Sequence, residues 1–250
     1  MGLDHPIAMP DPAPPPQVSV VLPVFDEEGN LRRLVEELFP VVRGLGRTFE
    51  VVFVDDGSRD RSPEILREIA AEHPEAVVWR LDRNHGLSSA LDAGFRSARG
   101  EVIVTLDADL QNDPRDIPRL LALLGEYDMV CGWRKERSDP FVKRGSSRIA
   151  NWWRNRRTGE SVHDITCPLK VFRAAVVPHL PAYDGMHRFY PTLARMAGFR
   201  VVEVPVAHRG RAAGTSKYGV WNRLWKGLSD LRAIRWMQRN RLTYRKERVP

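Results

Sequence analysis

The stretch Val102-Ile-Val-Thr-Leu-Asp-Ala-Asp-Leu-Gln111 joins an apolar run directly to two carboxylates and an amide. A short run rich in β-branched residues predicts a buried strand, and the polar residues after it mark the strand's carboxyl end. Asp107 and Asp109 stand two positions apart there, and Gln111 adds a third oxygen. Hard oxygen ligands of this kind bind Mg²⁺ or Mn²⁺ that also contacts phosphate. A helix cap is the competing explanation for such a triplet. Its position in the fold decides between a metal site and a cap.

Three similar units precede this stretch along the chain. Apolar runs predict strands at 18–22, 49–54, 76–81 and 102–106, and helical spacing predicts helices at 26–38, 63–72, 87–98 and 117–124. Strands that alternate with helices predict an α/β fold with a doubly wound, mostly parallel sheet. Ligands bind beyond the carboxyl ends of such strands, which here carry polar residues at 23–27, 55–58, 82–86 and 107–111.

The rest of the chain is less regular and more basic. We predict strands at 169–172 and 201–206, a helix at 189–196, and a basic stretch at 133–157. A length of 250 residues suits one sizeable domain. We expect a proline-rich tail at 1–16, a domain at 17–219, and a basic amphipathic helix with its tail at 220–250.

Composition excludes several classes of protein. Hydrophobic residues at 42% and charged residues at 28% are typical of a globular chain, and the net charge of +7 arises mainly after Val206. Cys131 and Cys167 have no metal-ligand spacing and are expected to be small packed residues. The sequence shows no signal peptide, no apolar run long enough to span a bilayer and no nucleic-acid reader motif. We therefore expect a cytoplasmic protein without a transmembrane segment.

The second polar strand end is Val54-Asp-Asp-Gly-Ser58. The Asp55 or Asp56 carboxylate could accept hydrogen bonds from a base N–H or from ribose hydroxyls. A turn that caps the next helix is the alternative, for which Asp-Gly-Ser is well suited.

Six motifs in order resemble the inverting family-2 glycosyltransferases, and within them the polyprenyl-phosphate sugar transferases similar to dolichyl-phosphate mannosyl- and glucosyltransferases. The motifs are Val20-Val-Leu-Pro-Val-Phe-Asp-Glu-Glu-Gly-Asn-Leu31, Val54-Asp-Asp-Gly-Ser58, Asn84-His-Gly86 with Ala90 and Gly94, Leu106-Asp-Ala-Asp-Leu-Gln111, Asp164-Ile-Thr-Cys-Pro-Leu-Lys-Val-Phe-Arg173, and Arg211-Ala-Ala-Gly-Thr-Ser-Lys-Tyr218. One departure is Pro168, where many relatives have glycine.

The resemblance implies a GT-A fold that binds a nucleotide sugar, either UDP- or GDP-linked. It implies a nucleoside pocket lined by Pro23, Glu27, Asp55 and Asp56, and a Mg²⁺ or Mn²⁺ and diphosphate site formed by Asp107, Asp109 and Gln111. Arg211 and Lys217 would come from a C-terminal segment that closes over the donor and stabilises the departing diphosphate. Together with Asp109 and Asp164, they are the expected catalytic residues.

The basic stretch suits an anionic acceptor. A lipid monophosphate needs cations to hold it but no strong general base, because its oxygen is already charged. Its expected ligands are Arg134, Lys143, Arg144, Ser147 and Arg148, with Asn151 beside them. A solvated basic face is the alternative. Asp164 matches an acidic position that acts as a base in relatives with hydroxyl acceptors, and it could instead orient a substrate hydroxyl or a lysine.

The sequence therefore predicts an inverting transfer of a sugar to polyprenyl phosphate, made at the inner face of a membrane. Transfer to a carbohydrate hydroxyl in polysaccharide or lipopolysaccharide synthesis is one alternative, and a non-catalytic nucleotide-sugar-binding subunit is another. Helical spacing at 220–237 places tryptophans, among them Trp236, and leucines on one face, with arginines beside them. Such a helix can lie on a membrane surface, pack on the domain, or dock a membrane protein partner.

Overall fold

A single seven-stranded sheet organises the protein. The computed structural model describes residues 14–135, 162–210 and 220–240. The strand order is β3-β2-β1-β4-β6-β5-β7. The strands are β1 (Val18–Val24), β2 (Phe49–Asp55), β3 (Ala76–Arg80), β4 (Val102–Thr105), β5 (Met129–Trp133), β6 (Lys170–Arg173) and β7 (Val201–Pro205).

Helices connect the strands and cover both faces of the sheet. They are α1 (Leu31–Arg43), α2 (Ser62–Glu72), α3 (Leu87–Ser97), α4 (Ile117–Ala122), α5 (Tyr190–Met196) and α6 (Val220–Arg239). Short 3-10 turns occupy Pro114–Asp116, Leu123–Gly125, Ala174–His179 and Met186–Phe189.

The sheet is mostly parallel, as predicted. Strand β1 lies between β2 and β4 and runs parallel to both, and β3 continues this order beyond β2. Strand β6 is antiparallel to both of its neighbours, β4 and β5, whereas β5 and β7 are parallel. The carboxyl ends of β1, β2 and β4, which carry the predicted site residues, therefore meet at one edge.

Alternation along β1 shows how the sheet separates two cores. Val18, Val20, Leu22 and Val24 face the core formed with α1, α2 and α4, whereas Val21 faces the core formed with α3, α5 and α6. Successive residues of a strand point to opposite faces, so one buried apolar run supplies both cores.

Glycine permits a close helix-to-sheet approach at α3. A β-carbon on Gly94 would lie 2.3 Å from a methyl carbon of Val21, closer than packed atoms can come. The approach seats α3, and with it the preceding Asn84–Gly86 loop, against the centre of the sheet.

The remaining differences from the sequence predictions have local causes. Strand β5 was not predicted, because Gly132 and Trp133 interrupt its short apolar run. Helix α1 begins at Leu31 instead of near residue 26 and continues through Pro40. The residues before it form the loop after β1, which belongs to the candidate site.

Helix α6 packs on the domain through part of its surface. Leu231 and Ile234 are buried in the core that also contains α3 and α5. Trp236, grouped by sequence with this apolar face, is instead 67% exposed, because it lies two positions beyond Ile234 and so points away from the domain. Among the described residues, no helix combines the length and the apolar character needed to cross a bilayer.

Candidate active site

The loops after β1 and β2 are bonded to each other. The backbone N–H of Asp26 donates to Ser58 Oγ at 3.0 Å, and that of Glu27 donates to Ser62 Oγ at 2.8 Å. The Glu27 carboxylate also accepts from Asn30 Nδ2 at 2.6 Å. These bonds fix the residues predicted to line the nucleoside pocket at the carboxyl edge of the sheet.

Asp55 is almost fully buried at the end of β2. Its Oδ1 accepts the N–H of Ser58 at 2.9 Å, which stabilises the turn. Arg80 Nε lies 3.1 Å from its Oδ2. Gly57 completes this turn with a φ of +69°, and a β-carbon there would lie 2.4 Å from the Arg83 carbonyl carbon. The turn that was the alternative explanation for this motif is thus present, together with the predicted clustering of carboxylates.

Asp56 holds the neighbouring loop. Its carboxylate accepts from Asn84 Nδ2 at 2.8 Å, from His85 N at 2.7 Å and from Gly86 N at 2.8 Å. Burial raises the pKa of Asp56, and the His85 and Gly86 hydrogen bonds oppose this by lowering it. Asp56 therefore shapes the pocket through the Asn84–Gly86 loop, in addition to any contact with a nucleoside.

The Asp107–Gln111 stretch leaves β4 in an unusual backbone conformation. Leu110 has a φ of +61°, a region that non-glycine residues rarely adopt. Asp109 Oδ1 accepts the N–H of Gln111 at 3.1 Å across this turn, and Ala108 and Leu110 are buried in the core. Strain of this kind persists only where the surroundings enforce it, and it concentrates at functional sites.

Asp107 experiences strong opposing electrostatic influences. Burial, and after it the charge of Asp109, raises the pKa of Asp107 to about 7. The positive charges of Lys170 and Arg134 lower it, and Glu27 raises it slightly. Carboxylates from β1 and β4 and two cations thus act on one point at the edge of the sheet.

This arrangement suits a divalent cation. The Asp107 and Asp109 carboxylates repel each other, and a bound Mg²⁺ or Mn²⁺ would stabilise their negative charges. Gln111 follows within the same turn and offers a further oxygen. Within the described ranges, no cluster of three histidine, cysteine or acidic side chains could enclose a metal. Two protein carboxylates completed by substrate phosphates are a usual way to hold Mg²⁺. The residues therefore fit a metal that is bound together with a diphosphate.

Arg134 and Asp164 form an ion pair on the other side of the site. Arg134 Nε lies 2.7 Å from Asp164 Oδ2, and its Nη2 lies 2.9 Å from Oδ1. Thr166 Oγ1 donates to the same carboxylate at 3.0 Å. The side chains of Arg134 and Asp164 are 13% and 6% exposed. Their mutual hydrogen bonds thus occupy groups that were predicted to bind acceptor phosphate and to act as a base.

Glu203 of β7 supports this pair from behind. Its carboxylate accepts the backbone N–H of Asp164 at 2.9 Å and that of His163 at 2.8 Å. The imidazole of His163 stacks on Trp133 with ring centres 4.3 Å apart. The strand pair β5–β7 therefore holds Asp164 through its side chain and through its backbone.

The structure brings together only part of the predicted site. Pro23, Glu27, Asp55, Asp56, Asp107, Asp109 and Gln111 lie at the carboxyl ends of β1, β2 and β4, and Arg134 and Asp164 lie beside β5. Lys143, Arg144, Ser147, Arg148, Asn151, Arg211 and Lys217 lie outside the described residues. The roles of all these residues remain predictions.

Some contributing residues were not predicted from the sequence. Glu203 is a charged residue within an otherwise apolar strand, and that isolated charge was the available signal. Lys170, whose ammonium donates to the Cys167 carbonyl, is buried on β6. Pro168 stands where many relatives have glycine, and its backbone carbonyl accepts a hydrogen bond from Thr105 Oγ1 at 2.6 Å. Cys131 and Cys167 are buried, as expected.

Known proteins with the same fold bind nucleotides and metal. A mannosyltransferase from Pyrobaculum calidifontis, solved with GDP-Man and Mn²⁺, superimposes with a TM-score of 0.63 at 21% identity, over 91% of this chain and 66% of that one. The likeness confirms the predicted GT-A fold.

Two relatives found by sequence share more identical residues with this chain than the mannosyltransferase does. The undecaprenyl-phosphate 4-deoxy-4-formamido-L-arabinose transferase of Edwardsiella ictaluri is 42% identical over 206 residues, which are 81% of this chain and 63% of the relative. The dodecaprenyl-phosphate galacturonate synthase of Rhizobium johnstonii is 37% identical over 92% of this chain and 69% of its own length. The chain thus spans less than two thirds of the arabinose transferase that it matches.

The pattern described as Glycosyl transferase family 2 matches residues 19–180. This range contains all of β1 except its first residue, all of β2 to β6, and every described carboxylate of the predicted donor site. The fold, the arrangement of these carboxylates and the sequence match agree, and the chain belongs to glycosyl transferase family 2.

Proposed function

We propose that the protein transfers a sugar, with inversion, from a UDP- or GDP-sugar to polyprenyl phosphate. An anionic phosphate oxygen of the acceptor forms a bond to the anomeric carbon while the bond from that carbon to the diphosphate breaks. The products are a polyprenyl-phosphate sugar and a nucleoside diphosphate. The names of the two relatives, both polyprenyl-phosphate enzymes, support this acceptor.

The observation that carries the choice of acceptor is the Arg134–Asp164 pair. A hydroxyl acceptor must lose a proton, and Asp164 was the expected base for that reaction. Its carboxylate already accepts two guanidinium N–H groups and the Thr166 hydroxyl, so taking a proton would disrupt the ion pair. A phosphate acceptor needs no base, because its oxygen is already ionised. The geometry therefore favours a lipid phosphate over a carbohydrate hydroxyl.

On the donor side, we assign the diphosphate to the turn that contains Asp107, Asp109 and Gln111. A bound Mg²⁺ or Mn²⁺ would neutralise charge as the nucleoside diphosphate leaves. Asp55 and Asp56 lie at the end of the adjacent strand pair, on the side suited to ribose and base. Arg211 and Lys217 are proposed to approach the diphosphate from the chain that follows β7.

Product chemistry tests the reaction. The purified chain is incubated with Mn²⁺, polyprenyl phosphate and a panel of UDP- and GDP-sugars, and nucleoside diphosphate release identifies the donor. We expect a lipid product that mild acid hydrolyses, since a glycosyl phosphate is acid-labile. An acid-resistant glycoside would instead support the hydroxyl acceptor. Nucleotide binding without turnover of any donor would support a non-catalytic subunit.

We also propose that residues 220–250 place the protein against the inner face of the membrane. In the described part of α6, the buried Leu231 and Ile234 face the domain, while Arg232, Arg235, Trp236 and Arg239 line a shallow depression on the outer surface together with Asn240. An exposed tryptophan among arginines suits the headgroup region of an anionic membrane. The alternative, a protein partner, would use the same surface.

Vesicle binding separates these two partners. Replacing Arg232, Arg235 and Arg239 with serine should abolish cosedimentation with vesicles rich in anionic lipid and leave thermal stability unchanged. Replacing Arg32, Arg67 and Arg96, which are exposed on other helices, removes the same charge and should preserve most of the binding. Equal loss in both triple variants would mean that net charge, not this surface, binds the vesicles. Failure of the wild-type chain to bind them would favour the protein partner.

A further inference from the structure

The chain that follows β7 is attached to the turn that follows β4. Arg209 N donates to the Gln111 carbonyl at 2.9 Å, and the neighbouring residues His208 and Asn112 form an isolated antiparallel bridge. The backbone N–H of Ala207 donates to Asp116 Oδ2 at 2.8 Å. Residues 207–209 therefore run alongside 111–116, directly beyond the proposed diphosphate site.

The side chain of Arg209 reinforces this attachment. Its Nη1 lies 2.5 Å from Glu37 Oε2 on α1, and its Nη2 lies 2.7 Å from Asp113 Oδ2. The hydrogen bond from Arg209 is the largest influence that lowers the pKa of Glu37. One guanidinium thus joins α1, the turn after β4 and the chain after β7.

We propose that Arg209 is a positioning residue of the donor site. It holds the backbone of Gln111, and through it the metal- and diphosphate-binding turn, against the chain that leads to Arg211. This inference rests on the proposed function for the identity of the ligand, a nucleoside diphosphate bound with a divalent cation.

Geometry explains why arginine is needed at this position. The planar guanidinium presents several N–H groups in a fixed fork, so it can bond two carboxylates on different elements at once. A lysine ammonium would keep the charge but would bridge Glu37 and Asp113 less well. Asp113 also pairs with Arg115, so its charge stays compensated when Arg209 is replaced.

Arg33 provides a matched control. Its Nε lies 2.9 Å from the other oxygen of Glu37, Oε1, one turn earlier on α1, and it is 59% exposed. Arg33→Ala therefore removes a partner of Glu37 without touching Asp113 or Gln111. Arg209→Ala removes the bridge itself, and Arg209→Lys should restore it in part.

The test combines ligand binding with hydrogen exchange. With Mn²⁺ present, Arg209→Ala should bind UDP or GDP about tenfold more weakly than wild type, since small displacements of positioning groups have effects of this order. Arg209→Lys should be intermediate, and Arg33→Ala should bind like wild type. The KM for the donor should rise while the KM for polyprenyl phosphate stays constant, a split that general destabilisation would not produce.

Hydrogen exchange does not depend on the proposed ligand. Backbone amides of residues 206–210 and 111–113 should exchange faster in Arg209→Ala than in wild type or Arg33→Ala. Glu37→Gln is a milder variant that weakens the same contact, and it should reproduce part of this faster exchange. It replaces Arg209→Ala in the test if that variant folds poorly. Unchanged exchange in Arg209→Ala, or unchanged binding of a nucleotide that the wild type binds, overturns the inference. Wild-type protein that binds neither nucleotide would instead refute the proposed donor, while the exchange comparison still decides the role of Arg209.

Discussion

Arg134 and Asp164 are 30 residues apart in the chain, yet they form a two-point ion pair with N–O distances of 2.7 and 2.9 Å. Both side chains are largely buried, at 13% and 6% exposure. Burial is the largest single influence and lowers the pKa of Arg134, but the hydrogen bonds to Asp164 and the charges of Asp164 and its neighbours together outweigh burial and raise this pKa. The pair is therefore a structural unit whose two charges depend on each other.

A double-mutant cycle should show this dependence. Arg134→Ala leaves the Asp164 charge without its main partner, and losing one member of a buried pair costs about 3–5 kcal/mol. The double variant Arg134→Ala/Asp164→Ala should lose clearly less than the sum of the two single variants, as measured by urea unfolding. The exposed pair Arg96–Asp92 on α3 is the control, with an expected coupling several times smaller because solvent screens exposed charges. Equal coupling in the two cycles would contradict a special role for the buried pair.

Glu203 should affect the acceptor side selectively. The Glu203 carboxylate accepts hydrogen bonds from the backbone N–H groups of His163 and Asp164. Glu203→Gln replaces one carboxylate oxygen with an NH₂ donor, so one of these two hydrogen bonds is lost. We expect kcat/KM for polyprenyl phosphate to fall about tenfold, with the donor KM unchanged.

Glu50 supplies the matched control for this experiment. It is also buried, and it accepts from Ser19 and Arg99 at the opposite end of the sheet. Glu50→Gln should lower the thermal stability without changing either KM. A rise in the acceptor KM for both variants would show that loss of any buried glutamate has this effect.

Sequence predicted those parts of the site that depend on short segments. The apolar runs of β1, β2 and β4 specify buried strands, and the carboxylates after them follow directly. The strand pairing of β5 with β7 depends on contacts between distant segments, and so does the ion pair of Arg134 with Asp164. A basic residue in a basic stretch gives no indication that its partner lies 30 positions away. The local pattern therefore predicted the carboxylates at the strand ends, whereas the ion pair between Arg134 and Asp164 required the structure.

Metal-free stability should depend on pH through Asp107. Its folded pKa of about 7 lies above its ordinary value near 4, so the folded protein binds more protons than the unfolded chain between these values. Stability should therefore fall as the pH rises from about 4 to 7, and the full penalty should be present above that range. Asp107→Asn removes this penalty.

Thermal unfolding in the presence of a chelator checks this sign. We expect Asp107→Asn to be more stable than wild type by about 2 kcal/mol at pH 8 and nearly equal at pH 4, since one pKa unit is about 1.4 kcal/mol and Asp107 is partly solvent-accessible. Added Mn²⁺ with UDP or GDP should stabilise wild type and not the variant. Asp92→Asn is the surface control. An equal gain at both pH values would mean that the Asp107 charge is not the cause.

Asp56 can affect nucleotide binding by direct contact or by holding the Asn84–Gly86 loop. Replacing Asn84 distinguishes these two effects. If the Asp56 carboxylate mainly holds the Asn84–Gly86 loop, Asn84→Ala should reproduce part of the effect of Asp56→Asn. Each buried group left unpaired costs about 1–3 kcal/mol. We therefore expect Asp56→Asn to weaken binding of UDP or GDP strongly and Asn84→Ala to weaken it moderately, as measured by titration calorimetry. Asn240→Ala, at the end of α6, should have no effect. Wild-type affinity in Asn84→Ala, together with lost affinity in Asp56→Asn, would assign Asp56 to direct contact with the nucleoside.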